Sequence, residues 1–438
     1  MLSALGLLGG LGLLIVLTMR GMNLLLAAPL CAAVVALLGG MPLLPPAAAV
    51  PGTVDFVTNY MGAFAAFLKS YYLIFLLGSI FGKVMEDSGA AASVARWAVG
   101  RFGAGSALLA VVAACAVLTY GGVSLFVVAF SVYPLAVNLF RAANLPRRFI
   151  PGALALGSCT FTMTSAGSPE IQNWIPIEFL KTTPYAAWKV SAVVAVMMAG
   201  LGYVWLRQMV RTAVARGEAF VVRADDPSEA ARDLPHPVAA LAPLVTVLVL
   251  SFLLHDTLKQ TALLVALAGG VVACIGLNWR RCTRLGGATA EGAVGALIAI
   301  GNTCAVVGFG GVAKATPAFQ GAVELMTHLP GSPLVGAALA VAVIAGLTGS
   351  ASGGQVIALP LIAPIYLAQG VSAEALHRVV AIASGSLDSL PHNGYVVTTI
   401  RAICGESHRD AYGAVGVTTV IVPALGVALA IGLISLGL

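Results

Sequence analysis

Few ionisable residues sit in apolar surroundings, and those few limit the chemistry open to the chain. Asp388, His392 and Glu170 lie in two polar runs flanked by long apolar stretches. A charged side chain at membrane depth costs roughly 2.5–3.5 kcal/mol on insertion scales, so its retention points to a function. Asp388 precedes His392 by four residues; one helical turn would bring them together, and an extended loop would not. A carboxyl beside an imidazole can share a proton and pass it on. Asp388 and His392 are therefore the expected proton-coupling residues, with Glu170 as the runner-up. Plainer roles stand beside these: Asp388 as a helix cap, His392 as a hydrogen-bonded structural residue, and Glu170 as a first-turn helix residue near the outer surface.

The polar runs themselves form two pairs: 119–124 with 348–354, and 160–173 with 384–394. The first pair is rich in Gly, Ser and Thr, so backbone can approach a ligand closely. Each member of the second pair has small hydroxyl residues, a proline and a late Asn. None of the four contains Arg or Lys. An anion bound there would be held by hydroxyls and by the free N–H groups of half-helix N-termini. The candidate substrate ligands are Ser124, Thr164, Ser165, Asn173, Gly354, Ser386, Ser389 and Asn393. For any single Ser or Thr, helix packing is the competing explanation.

What positions these breaks is a membrane. The chain has 438 residues, 59% hydrophobic and only 9% charged, where a soluble domain carries roughly 25% charged residues. It holds about ten apolar runs of membrane-crossing length. The net charge of +6 comes from basic residues scattered between those runs, which is a topology signal and not a nucleic-acid footprint. The seven cysteines are odd in number and mostly within apolar runs, so no disulfide framework is expected. No signal-peptide pattern opens the chain. No metal spacing, phosphate loop or nucleophile elbow occurs, so neither an enzyme nor a cofactor is expected, and transport would be driven by a gradient.

The spans read as two halves around a polar linker. Landmarks recur in order: Leu118-Thr119 with Leu347-Thr348, Pro134 with Pro364, Gly157-Ser158 with Gly385-Ser386, and Ala187-Trp188 with Ala411-Tyr412. Each half reads as three spans, a re-entrant hairpin, an interrupted span and a final span. That is an odd number of crossings, so the halves are expected to be inverted. All but six of the 23 Lys and Arg residues then share one side; the six are Lys69, Lys181, Lys189, Lys259, Lys314 and Arg378. The positive-inside rule makes the richer side cytoplasmic and places both termini outside. The expected fold is an all-α polytopic membrane protein with two inverted-topology repeats, each with a re-entrant hairpin and a broken transmembrane helix. Residues 1–213 form the first repeat, 214–236 a cytoplasmic linker and 237–438 the second repeat. Scaffold helices are expected at about 1–90, 185–213, 237–315 and 411–438, and moving transport parts at about 104–181 and 333–404. Paired discontinuous helices at repeat interfaces are the sequence pointer to a secondary-transporter site near the midplane.

Two motifs add a resemblance. Ala383-Ser-Gly-Ser-Leu-Asp-Ser-Leu-Pro-His-Asn-Gly394 with Ser407-His-Arg-Asp-Ala-Tyr412, and Thr164-Ser-Ala-Gly-Ser-Pro-Glu-Ile-Gln-Asn173 with Thr182-Thr-Pro184, resemble the gluconate permease (GntP) family. That family is similar in organisation to the ion transporter superfamily. The resemblance implies an inner-membrane permease, a homodimer with a scaffold and an elevator-like transport domain, and proton-coupled import of a small hydroxy-carboxylate such as gluconate or hydroxybutyrate. Its partners would be the carboxylate substrate, H⁺ and membrane lipid, with no nucleic acid. The alternative is a Na⁺-coupled carboxylate carrier or Na⁺/H⁺ exchanger, in which the carbonyls and hydroxyls of the breaks coordinate Na⁺.

Overall fold

The computed structural model describes residues 2–20, 22–45, 54–102, 106–223, 226, 233–258, 261–327 and 332–438. Gly21, Arg232, Lys259, the end of the Pro/Ala-rich 42–51 loop and parts of the linker lie outside the described residues. Among the described residues the chain is all helix and irregular loop, with no strand. The first half runs α1 (Leu2–Met19), α2 (Leu24–Leu38), α3 (Phe56–Asp87), α4 (Ala90–Phe102), α5 (Ala107–Tyr120), α6 (Leu125–Ala142), α7 (Ile150–Ala155), α8 (Ile175–Leu180) and α9 (Trp188–Ala215). The second runs α10 (Pro237–Leu258), α11 (Thr261–Asn278), α12 (Leu285–Lys314), α13 (Pro317–Thr327), α14 (Pro333–Thr348), α15 (Ala351–Ala368), α16 (Ala373–Leu387), α17 (Gly394–Val397), α18 (His408–Gly416) and α19 (Val422–Ser435).

Eight of these helical segments are long and apolar enough to cross a membrane. The first arms of the two hairpins are not. Helix α5 has 14 residues and α14 has 16, or about 21–24 Å at 1.5 Å per residue, short of a roughly 30 Å hydrocarbon core. Each short arm is followed by an 18-residue second arm, α6 or α15. Pro134 and Pro364 lie inside those second arms, so the landmarks fall on matching elements of the two halves. Helix α12 lies along α3 with little between them: a Cβ at Gly292 would sit 2.9 Å from Ile80 Cα, and one at Gly308 2.8 Å from the Tyr60 ring. Small residues permit this backbone approach, which is how helices pack tightly without a hydrophobic drive from water.

Three of the expected breaks are shorter than the sequence suggests. Helix α5 continues to Tyr120, so the first hairpin is interrupted only over 121–124. Helix α15 begins at Ala351, so only Gly349 and Ser350 interrupt the second hairpin. Helix α16 continues to Leu387, so the second broken span is irregular only over 388–393. Ser384 and Ser386 are helical because each hydroxyl donates to the carbonyl three residues back, at 2.8 and 2.6 Å. That bond satisfies each hydroxyl within the helix, so a serine here does not by itself mark a break.

The linker straps the basic face. Arg147, just before α7, is 6% exposed and pairs with Asp226 at 2.8 Å and Glu406 at 3.1 Å. Arg223 reaches Glu406 and the carbonyls of Cys404 and Gly405, and Arg148 pairs with Glu218 at 2.6 Å. The linker thus joins the ends of both interrupted spans.

Candidate functional site

The two hairpin tips and the two interrupted spans meet at a cavity of about 670 Å³. Ser124, Glu170, Gln172, Ser350, Ser352, Asp388, Ser389, His392 and Asn393 line one side. Helices α3 and α12, with the α1–α2 turn, supply the facing wall through residues such as Ile74, Lys83 and Asn302. The lining reaches Lys83 and Glu86 near the end of α3, which pair at 2.9 Å.

Local chemistry explains how the second interrupted span presents its polar groups. Asp388 follows the last residue of α16 and accepts from Ser389 Oγ at 3.0 Å; the Ala351 amide at the start of α15 lies within reach of its carboxyl. Asn393 caps α17, its Oδ1 accepting from Val396 N at 3.0 Å while Nδ2 donates to Gly349 O at 2.9 Å. Gly349 has φ +58, and a Cβ there would sit 2.8 Å from the His392 ring. A glycine is required on both counts, since the left-handed region is costly for other residues. The His392 ring is 97% buried by area, yet neither ring nitrogen has a hydrogen-bond partner. Buried polar atoms are almost always paired; here both nitrogens are closed off from solvent, with the Gly346 backbone beside the ring, so His392 bounds the cavity with its polar atoms turned into the protein. No hydrogen bond joins Asp388 to His392 among the described residues; they flank the cavity separately. From behind, Tyr412 donates to Ser389 O and His408 Nε2 contacts Pro391 O, each at 3.2 Å.

Two longer helices also aim their N-termini here. Ser124 precedes α6 and makes no side-chain cap bond. Ser350 caps α15 by accepting from Gly353 N at 3.1 Å. Free N–H groups and the positive dipole end favour an anion at both places.

The first interrupted span uses its polar groups differently. Asn173 Nδ2 donates to Ser168 O and Pro184 O, both at 3.0 Å, and Trp174 Nε1 also donates to Ser168 O at 3.0 Å. Tyr120 Oη donates to Ala166 O, and Ser191 Oγ accepts from the Ala166 amide. Gln355 Nε2 ties Gln172 O to Ser384 Oγ. Arg378, expected on the outer face, is instead fully buried. Its guanidinium donates to the carbonyls of Thr164, Pro184 and Ala186. It lies outside all four polar breaks, so the pattern that marks the breaks does not mark it. The available signal was a lone Arg inside the apolar run of α16.

The expected ligands therefore separate. Ser124, Ser389, Asn393, Asp388, His392 and Glu170 line the cavity. Thr164, Ser165, Asn173, Gly354 and Ser386 lie outside its lining. Ser165 donates to Phe161 O and faces a second, mainly apolar cavity beside α10. Gly354 is where the hairpin arms touch; a Cβ there would sit 2.5 Å from Ala345 Cα.

An all-helical bundle with two short-armed hairpins and a polar cavity at their tips is the architecture of a membrane transporter. The solved structures it resembles agree. The YdaH transporter of Alcanivorax borkumensis matches with a TM-score of 0.57 at 18% identity, covering 99% of this chain and 98% of that one. MtrF of Neisseria gonorrhoeae, from a class of antimetabolite efflux pumps, matches with a TM-score of 0.50 at 13% identity, covering 97% and 95%. In sequence, the model of the GntP family permeases matches residues 2–164. The uncharacterized transporter YxjC of Bacillus subtilis (strain 168) is 38% identical over 454 residues, spanning 94% of each chain. The chain belongs to the GntP permease family.

Proposed function

We propose that this permease imports a small organic acid anion, a hydroxy-carboxylate of the gluconate or hydroxybutyrate kind, by proton symport. The observation that carries the reading is the convergence on one cavity of a carboxyl, Asp388, an imidazole, His392, and the N-termini of α6 and α15. Helix N-termini and hydroxyls suit a carboxylate. Loading an anion beside an ionised Asp388 is unfavourable until that carboxyl takes a proton, and this links the two ions. Glu170 on the same wall is the second candidate carrier. The cavity reaches Lys83 and the α1–α2 turn on the basic face, so in this reading the site opens to the cytoplasm, with both termini outside in the inner membrane. The two hairpins and interrupted spans move as an elevator against the other helices of a homodimer.

Proton coupling is favoured over Na⁺ because two carboxyls, Asp388 and Glu170, line the cavity, while Arg378 already occupies the Thr164 carbonyl of the first break. The test is uptake of labelled gluconate and 3-hydroxybutyrate into proteoliposomes under a pH gradient, with and without Na⁺. Asp388→Asn is expected to lose pH-driven accumulation and to keep counterflow exchange. Accumulation by Asp388→Asn with wild-type pH dependence, or a strict Na⁺ requirement in the wild type, overturns the reading.

A further inference from the structure

Arg378 is fully buried and takes part in no ion pair among the described residues. Carbonyl dipoles from Thr164, Pro184 and Ala186 solvate it. Dipoles do not cancel its charge, and a guanidinium cannot shed its proton. Helix α16 carries Arg378 near one end and Asp388 just past the other, about 15 Å apart at 1.5 Å per residue. The carbonyl bonds fasten that same helix to the first interrupted span. Any body that moves Asp388 therefore moves Arg378 and both interrupted spans with it.

We infer that Arg378 is the resident counter-charge of the transport body, balanced by the Asp388 carboxylate when the site is empty and by the substrate carboxylate when Asp388 is protonated. This rests on the anion-symport reading above. The charges balance in both forms. Counting buried groups only, the empty body holds one unpaired guanidinium and one carboxylate; Glu178, Lys181, Glu374 and Arg401 lie exposed at its ends. Loaded, it holds one guanidinium, one neutral carboxyl and one bound monoanion. With Asp388 as the carrier, Glu170 stays protonated and neutral in both forms, because one negative charge, from Asp388 or the substrate, always shares its low-dielectric cavity. The remaining buried base of this body, Arg147, is neutralised at the basic face by Asp226 and Glu406. His377 is held by Thr182 Oγ1 at 2.6 Å and adds no charge while neutral. Both forms then cross the membrane field without net charge, one proton accompanies one monoanion, and neither half of the cycle responds to voltage.

The test is counterflow exchange of labelled gluconate and 3-hydroxybutyrate in proteoliposomes, with and without a valinomycin-imposed potassium potential. Wild-type exchange is expected to be insensitive to the potential. Arg378→Lys keeps the charge; it is expected to stay within about threefold of wild type and to be equally insensitive. Arg378→Gln leaves the loaded body with one uncompensated negative charge; its exchange is expected to fall about tenfold or more, with the residual rate changing severalfold with the potential. A purely structural Arg378 would instead leave Lys as damaging as Gln, because Lys lacks the planar fork, and would create no voltage response. That outcome overturns the inference. So does voltage-sensitive exchange by the wild type, which decides the matter even if Arg378→Gln does not fold. Exchange of neither probe by the wild type overturns the anion reading first, and this inference with it.

Discussion

The two interrupted spans occupy matching places in the two halves and use their polar groups in opposite ways. In the first, Asn173, Trp174, Tyr120 and Arg378 hold carbonyls. In the second, Asp388, Ser389 and His392 line the cavity, and neither His392 ring nitrogen completes a hydrogen bond. The first is built as an anchored wall and the second as the reactive loop. The contrast follows from what each can pair with. Residues 161–187 are long enough to fold back on themselves, and Pro184 O lies beside both Asn173 and the Gly167 amide. The second interruption has only six residues, 388–393, and too little chain to satisfy itself. It leans on Gly349 in front and on Tyr412 and His408 behind.

The sharpest way to break this comparison is at Gly349. Gly349→Ala places a methyl 2.8 Å from the His392 ring at φ +58, a conformation that costs a non-glycine residue about 1–2 kcal/mol. Uptake is expected to fall about tenfold or more as the ring is displaced, while the melting temperature falls modestly. Gly122, at φ +92 in the first hairpin tip, also lines the cavity, but a Cβ there would meet Val247 and Pro169 and no titratable group; Gly122→Ala is expected to cost stability first. Equal losses of uptake at equal stability would show that the two tips are not specialised.

Asn173 tests the wall. Asn173→Ala removes one donor from each of two buried carbonyls, Ser168 O and Pro184 O, which keep Trp174, Gly167 and Arg378 as donors, so each lost bond costs about 0.5–1.5 kcal/mol. Scanning fluorimetry is expected to show a drop of several degrees, with the substrate KM of the surviving protein unchanged. A raised KM with an unchanged melting temperature would make Asn173 a ligand, as its residue type suggests.

Much of the fold and part of this contrast were legible in the sequence. Apolar runs marked the long helices because lipid demands them, and proline and glycine marked the hairpins. The loop residues Asp388, Ser389, His392 and Asn393 stood out because polar groups are rare at that depth. Hydroxyls were harder to read. Ser165 and Ser389 look alike in a string, but Ser165 donates to Phe161 O away from the cavity while Ser389 lies on its wall. Serine can bond to its own helix, so its type does not reveal whether it is free. Arg378 escaped for the opposite reason: a lone arginine near a helix start reads as a surface residue until tertiary packing places carbonyls around it.

That ambiguity gives a smaller, cleaner test. Ser389→Ala is expected to raise KM about two- to tenfold, the worth of one hydrogen bond of about 0.5–1.5 kcal/mol. Ser165→Ala is expected to leave KM unchanged. Labelled uptake at fixed pH measures both, and a reversed order would move the site toward the second cavity.

The smallest effect concerns the strap that joins the basic ends of the two interrupted spans, and here opposing signs decide the size. Hydrogen bonds from Arg148, outweighing burial, hold the Glu218 carboxyl below its usual range. Burial pushes the Asp226 carboxyl up, but the Arg223 amide and the guanidiniums of Arg147 and Arg141 outweigh it, so Asp226 also lies low. A carboxyl held low contributes stability that is present above its ordinary value and lost as pH falls through its folded value. Glu406 runs the other way: burial raises it despite Arg223 and Arg147, so its stabilising share shrinks as pH rises. Two carboxyls therefore loosen the strap in acid and one tightens it. Melting temperature is expected to fall by only a few degrees below the ordinary carboxylate range. Glu218→Gln should lower it slightly at neutral pH, because a half-exposed pair is worth about 0.2–1 kcal/mol, and should flatten the acid slope. An unchanged slope in Glu218→Gln and Asp226→Asn alike would mean that acid acts on the cavity carboxyls and not on the strap, and both interrupted spans would then share one titrating centre.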